Sequence, residues 1–124
     1  MRPVDEEIEQ YNDQLDVIGL PIMTRSQLSV FNGRTNEKIY VGIKGLIYDV
    51  SANAKSYGPE KSYNALAGKE STRLLALNKL KDDGINNTWY IDDLSEKQLA
   101  SLDKWIEFFH KRYRIIGVIG DRED

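Results

Sequence analysis

The stretch from Ser56 to Leu77, SYGPEKSYNALAGKESTRLLAL, constrains this chain more than any other. Gly58-Pro59 sets a turn between two tyrosines, Tyr57 and Tyr63, and the run that follows predicts a short helix opening near Ser62. Gly68 stops that helix, because glycine alone adopts a left-handed cap at no steric cost. A second helix is then predicted to run to about Asn78, so two short arms meet at one glycine and form a V. Such a V is a mouth suited to a flat apolar ligand, and Tyr63 stands at the start of its first arm.

The flanking elements are read from capping chemistry and periodicity. Thr24-Arg25-Ser26-Gln27 fits a capping box, with Met23 and Leu28 placed as the hydrophobic staple, and predicts a helix to about Phe31. Lys38 to Ile43 alternates at period two, Lys44-Gly45 supplies a turn and Leu46 to Val50 returns, which predicts a β-hairpin with Ile39, Val41 and Ile43 on the core face. Lys81 to Asp92 reads as a polar connector carrying Gly84 and Asn86-Asn87, held down by Trp89, Tyr90 and Ile91. Ser95 and Gln98 repeat the capping box, with Leu94 stapled to Leu99, and open the longest helix, from Glu96 to about Arg112. Its apolar stripe is Leu99, Leu102, Ile106, Phe109 and Tyr113, with Trp105 at the margin. Ile115 to Ile119 reads as a closing strand. The order of elements is that of an α+β fold, a small sheet with helices segregated around it.

A chain of 124 residues is one domain by length. Residues 1–20 form an acidic extension carrying six acidic residues and one basic, against a net charge of −3 for the whole chain. Val4, Ile8, Tyr11 and Leu15 lie on a helical stripe there. Of the two readings, a docking helix and a solvated extension packed loosely on the domain, the second is the expectation. The acidic balance argues against a nucleic-acid partner. No apolar run approaches the ~20 residues that span a bilayer, and no secretion signal is visible, so a soluble chain with the cytosol as its compartment is expected. Absence of cysteine removes disulfides and thiolate sites. With no nucleophile beside a base, no carboxylate pair and no phosphate loop, an independent enzyme is not expected.

Many spaced elements agree with one known family. The order Tyr-Gly-Pro, Tyr, Ala-Gly, Thr-Arg, Leu-Ala, with Phe31-Asn32-Gly33, Ile39-Tyr40-Val41, Tyr48-Asp49-Val50, Asp93-Leu94-Ser95, Trp105 and Ile116-Gly117 in register, resembles the membrane-associated progesterone receptor family of cytochrome b5-like domains. The resemblance covers roughly residues 22 to 117 and implies a cytochrome b5-like heme/steroid-binding domain over residues 21–120, with the V-shaped helix pair as its ligand pocket and a longer C-terminal helix. An electron-carrying cytochrome b5 holds heme between two histidines. This chain has one, His110, outside either arm, and by its position a solvated helix residue.

Tyrosine is the alternative ligand, as a phenolate to ferric iron. The resemblance implies Tyr63 as the axial ligand to a ferric, b-type heme. It places supporting roles on Tyr57 and on Arg112-Tyr113, and puts Leu66 and Leu74 in the pocket. Where relatives carry glycine or proline before the axial tyrosine, this chain has Lys61-Ser62, and Leu74 replaces a small residue. Read singly, each of these tyrosines is an ordinary edge-of-core residue, Arg112 answers the helix dipole, and both leucines are core. What the resemblance implies is a heme-binding regulatory protein that senses or delivers heme or supports heme-thiolate sterol monooxygenases, with a peripheral seat at the endoplasmic reticulum membrane as the alternative address. The competing reading is a steroid or other apolar-ligand module, or a scaffold that does not bind heme.

Overall fold

In the computed structural model, which describes residues 3–79 and 89–120, four strands form one sheet: β1 (Ile22–Met23), β2 (Tyr40–Ile43), β3 (Leu46–Asp49) and β4 (Arg114–Ile119), in the order β1-β4-β3-β2. The hairpin stands where period two places it. Lys44 and Gly45 both take positive φ, 49° and 81°, the two-residue turn whose twist matches that of the flanking strands. β4 pairs antiparallel with β3, with a register shift at Ile47/Tyr48. β1 adds a parallel pair on the outer side of β4, Ile22 opposite Val118. A two-residue strand has no periodicity by which the sequence could announce it.

Both faces of the sheet are covered. Ile39, Val41 and Ile43 enter the main core with Tyr48, Val50, Leu102, Phe109 and Ile115. Tyr40 and Ile47 turn the other way, onto a smaller cluster with Leu28 and Ile119, against which Met23 packs as the staple requires. The free edge of β2 is closed by backbone: the Gly42 amide donates to the Lys69 carbonyl at 2.8 Å, and the Ser71 amide to the Gly42 carbonyl at 2.6 Å.

The helices are α1 (Glu6–Gln14), α2 (Arg25–Leu28), α3 (Ala54–Tyr57), α4 (Thr72–Ala76) and α5 (Glu96–His110). Both expected capping boxes are formed, Thr24 with Gln27 and Ser95 with Gln98. α2 ends at Leu28, short of Phe31, because the chain turns to stack Phe31 on Tyr40, ring centroids 4.4 Å apart. α5 stops at His110, two residues short of Arg112, where the chain swings into β4.

The first arm of the expected V is not an α-helix. Residues Asn64–Leu66 make a single 3-10 turn, with Tyr63 just before it. The Tyr63 amide donates instead to the Ser56 carbonyl at 2.8 Å, tying the segment back to α3 and leaving no room for a longer helix. Gly68 is the hinge as expected, at φ 71°, and a Cβ there would press on the Ser29 carbonyl at 3.0 Å. Of the connector, residues 81–88 lie outside the described residues, Gly84 and the Asn86-Asn87 pair among them.

The expectation of a loosely packed N-terminal extension is overturned. α1 docks on the end of α5 and the start of β4, with the Asp5 amide donating to the Lys111 carbonyl at 2.9 Å and Asn12 buried at 6% exposure. His110 is paired as well as partly solvated: its Nε2 lies 2.6 Å from Asp13 Oδ1, and its side chain is 29% exposed.

Candidate ligand-binding site

α3 ends on Tyr57, and the Gly58–Ser62 loop folds back so that Asn64 Nδ2 donates to the Tyr57 carbonyl at 3.0 Å. This closure stands Tyr57 and Tyr63 side by side, ring centroids 5.6 Å apart. α5 supplies the facing wall. Tyr63 meets Trp105 edge-on at 6.3 Å, and Tyr57 meets Tyr113 at 5.8 Å and Phe109 at 6.1 Å. Three of the sequence-predicted residues, Tyr57, Tyr63 and Tyr113, thus belong to one aromatic cluster. Arg112 lies beside it, its guanidinium 4.0 Å over the Phe108 ring and donating to the Phe108 carbonyl at 3.2 Å.

The three phenols have different surroundings. Tyr113 is buried and its hydroxyl accepts from Asn53 Nδ2 at 2.9 Å. Tyr57 is 0% exposed, and its hydroxyl has no hydrogen-bond partner among the described residues. Burial is the first cause that pushes the Tyr57 phenol well above the usual range; the Tyr113 hydroxyl adds to the shift, without making a bond of normal geometry, and the Arg112 charge opposes it. Tyr57 is therefore held neutral. Tyr63 is half-buried, and no hydrogen bond engages its hydroxyl among the described residues. It is the phenol open to an incoming group.

Leu66 and Leu74, expected in the pocket, are 0% and 2% exposed in the main core. A groove of about 350 Å³ is lined by Asn78, Ser101, Lys104, Trp105 and Phe108, and Trp105 is the wall residue that touches Tyr63; the groove's volume is near the small end of ligand pockets, roughly 300–1,000 Å³. Trp105 Nε1 donates to Asn78 Oδ1 at 2.9 Å, fixing the indole plane between Tyr63 and the groove. No motif in the sequence marks Lys104, Phe108 or Asn78 as a site residue. Only the position of Lys104 and Phe108 on either side of Trp105 on α5 carries a signal for them.

Arg73 of α4 ties the segment that leads into α5, donating to both oxygens of Asp93 at 2.6 and 3.0 Å and to the Tyr90 carbonyl at 3.0 Å. The pairing holds the Asp93 carboxyl below its ordinary value and raises Arg73. Among the described residues, no group of three or more His, Cys, Asp or Glu could hold a metal ion.

A family described as "Cytochrome b5-like Heme/Steroid binding domain" matches residues 24–115. The chain belongs to this family, in its membrane-associated progesterone receptor branch. It is 34% identical to the neuferricin homolog of Caenorhabditis elegans over 119 residues, 94% of this chain and 36% of that protein. The cytochrome P450 regulator dap1 of Schizosaccharomyces pombe is 34% identical over 106 residues, 81% of this chain and 64% of its own length. The chain thus spans about a third of the neuferricin relatives it matches. Among solved structures, a putative steroid-binding protein from Arabidopsis superposes with a TM-score of 0.72 at 30% identity, over 83% of this chain and 100% of that one. The fold is that of cytochrome b5. Among the described residues, no helix is long and apolar enough to cross a membrane.

The residues of the site are compatible with heme. A half-buried tyrosine with an unengaged hydroxyl offers an oxygen ligand, a second buried hydroxyl lacks a partner, Lys104 lines an apolar groove, and Arg112 lies over the Phe108 ring of its wall, so that cations stand ready to answer propionates.

Proposed function

We propose that this protein is a heme-binding regulatory protein that ligates ferric, b-type heme through the Tyr63 phenolate and acts by binding rather than by catalysis. The observation that carries the reading is the clustering of Tyr57, Tyr63 and Tyr113, with Tyr63 alone half-buried and unengaged and joined through Trp105 to an apolar groove. Heme, when bound, supplies an iron centre of low potential, since phenolate favours ferric over ferrous iron. Tyr63 would hold the iron through its phenolic oxygen. Trp105 fixes the tyrosine ring from the side, Tyr57 and Tyr113 shield it from water, and Arg112 stabilises negative charge on the phenolate or on a propionate.

Such a site suits heme sensing or delivery, or the support of heme-thiolate monooxygenases. The naming of the yeast relative dap1 as a cytochrome P450 regulator supports the last of these. The reading does not suit electron shuttling, because the chain's single histidine cannot make a bis-histidine centre. A peripheral seat on the endoplasmic reticulum membrane, at such an enzyme, belongs to the same proposal.

Titrating the purified chain with ferric heme and recording the visible absorption spectrum tests this directly. Saturable binding with a high-spin ferric spectrum supports it. A steroid that binds in the same groove while ferric heme does not would replace it with the steroid-module reading.

A further inference from the structure

Between His110 and Ile115 the chain leaves helix α5 and enters strand β4, and Arg112 and Tyr113 sit inside that turn. A helix end leaves carbonyls without intrahelical partners. Here one side chain from the far end of the sequence serves them. Asn12 Nδ2 donates to the His110 carbonyl and to the Tyr113 carbonyl, both at 2.8 Å, and Asn12 Oδ1 accepts from the Ile115 amide at 3.0 Å. The primary amide places two donors and one acceptor on three backbone groups of the turn. Neighbouring contacts seat the helix that carries it: Asp5 amide to Lys111 carbonyl, Asp13 on His110, and Tyr11 under the Arg114 guanidinium at 5.4 Å.

We propose that Asn12 is a positioning residue of the ligand site: it clamps both ends of the 110–115 turn and so sets where Arg112 and Tyr113 stand. Tyr113 is held at its backbone by Asn12 and at its hydroxyl by Asn53, and its ring fixes Tyr57, which fixes Tyr63. α1 lies outside the 24–115 span that matches the family, so the support of the turn comes from beyond that span. The consequence for heme rests on the Tyr63 reading above, whereas the placement of Arg112 and Tyr113 does not.

Asn12→Asp keeps the side-chain shape and the acceptor for Ile115 but sets a carboxylate against two carbonyls. Asn12→Ser is the milder variant should the first fail to fold. Leu28→Val, in the cluster on the opposite face of the sheet, is the control for lost stability alone. In the ligand-free full chain, the Asn12 variants are expected to speed hydrogen exchange at the Ile115 amide and to shift the Asn53 side-chain amide resonances, while Leu28→Val leaves those resonances in place. The ferric heme dissociation constant is expected to rise about tenfold, the lower end for removing a group that orients a ligand, and to stay at the wild-type value in Leu28→Val. Wild-type heme affinity in an Asn12 variant whose Ile115 protection is lost would overturn the positioning role. So would an equal loss of affinity in the control. If the wild-type chain bound no heme, the Tyr63 reading would fall, and the Asn53 resonances would decide alone: shifted, they support the clamp; unmoved, they refute it.

Discussion

Tyr57 and Tyr113 meet edge to face, their ring planes at 90° and centroids 5.8 Å apart, yet only one of the two hydroxyls is hydrogen-bonded. Tyr113 accepts from Asn53, whereas the Tyr57 hydroxyl is buried without a partner among the described residues. A folded chain that needed Tyr57 only for packing would do better with phenylalanine, because an unsatisfied buried hydroxyl costs about 1–3 kcal/mol. Retaining the hydroxyl is consistent with a polar group that reaches it only in the liganded state.

Tyr57→Phe is therefore expected to leave the ligand-free melting temperature unchanged or raise it, while weakening ferric heme binding. Tyr113→Phe behaves differently, since it strands the Asn53 amide and should cost about 1–3 kcal/mol. Thermal melts and heme titrations on the two variants separate these outcomes. A large stability loss in Tyr57→Phe would show that the hydroxyl is already satisfied.

Alkaline stability follows from Tyr48. Burial pushes its phenol up to about 12, against about 10 in the unfolded chain. The native state then holds a proton that the unfolded state has released, so this contribution is complete below about pH 10 and is lost as pH rises through about 12. Its full size is on the order of 2 kcal/mol. Denaturant melts between pH 9 and 12 should fall more steeply for wild type than for Tyr48→Phe, and identical slopes would refute the assignment.

What was legible in the chain was local or periodic. The Thr24 and Ser95 capping boxes use partners three residues away, and the Lys44-Gly45 hairpin declares itself through alternation and a turn that both residues can adopt. The tyrosine set was legible only through its joint order, because no single tyrosine differs from an edge-of-core residue. Docking of α1 was not legible: the partners of Asn12 lie 98 to 103 residues away, and an asparagine on a polar helix reads as solvent-facing. The loss of the first helical arm was hidden for a different reason: the Ser56 carbonyl that captures the Tyr63 amide competes with a helix pattern that is locally sound. Leu66 and Leu74 were pulled into the core by apolar contacts that no spacing distinguishes from ligand contacts.

Glu70 is a structural residue that motif reading passes over. It is 2% exposed, and its carboxylate accepts from the Gly45 amide at 3.0 Å, from the Thr72 amide at 3.1 Å and from the Thr72 hydroxyl. The hairpin tip is thereby tied to the start of α4. Glu70→Gln must turn an NH2 toward one of these donors, so a loss of about 1–3 kcal/mol is expected from chemical denaturation. A variant as stable as wild type would mean that the knot carries no net stability.

The oxidation state of the ligand gives a further test. Phenolate loses much of its electrostatic attraction when iron falls from ferric to ferrous, so heme titrated under dithionite should bind more weakly than heme titrated in air. Equal affinities would remove a redox-controlled release while leaving heme binding intact.

Tyr63→Phe is the decisive substitution. It keeps the ring that packs between Tyr57 and Trp105, and because the hydroxyl is unengaged among the described residues, the ligand-free fold should lose well under about 1 kcal/mol. Ferric heme binding should instead collapse. The chain has no cysteine, and its one histidine faces Asp13 at the far end of α5, so no stronger ligand can take the vacated place. Tyr57→Phe and Tyr113→Phe should weaken binding about ten- to a hundredfold, as groups that orient a ligand rather than make the bond. A steroid site predicts near-equal behaviour of all three variants, since each retains its apolar ring. Wild-type ferric spectrum and affinity in Tyr63→Phe would show that the iron is held elsewhere, and the tyrosinate assignment would be withdrawn.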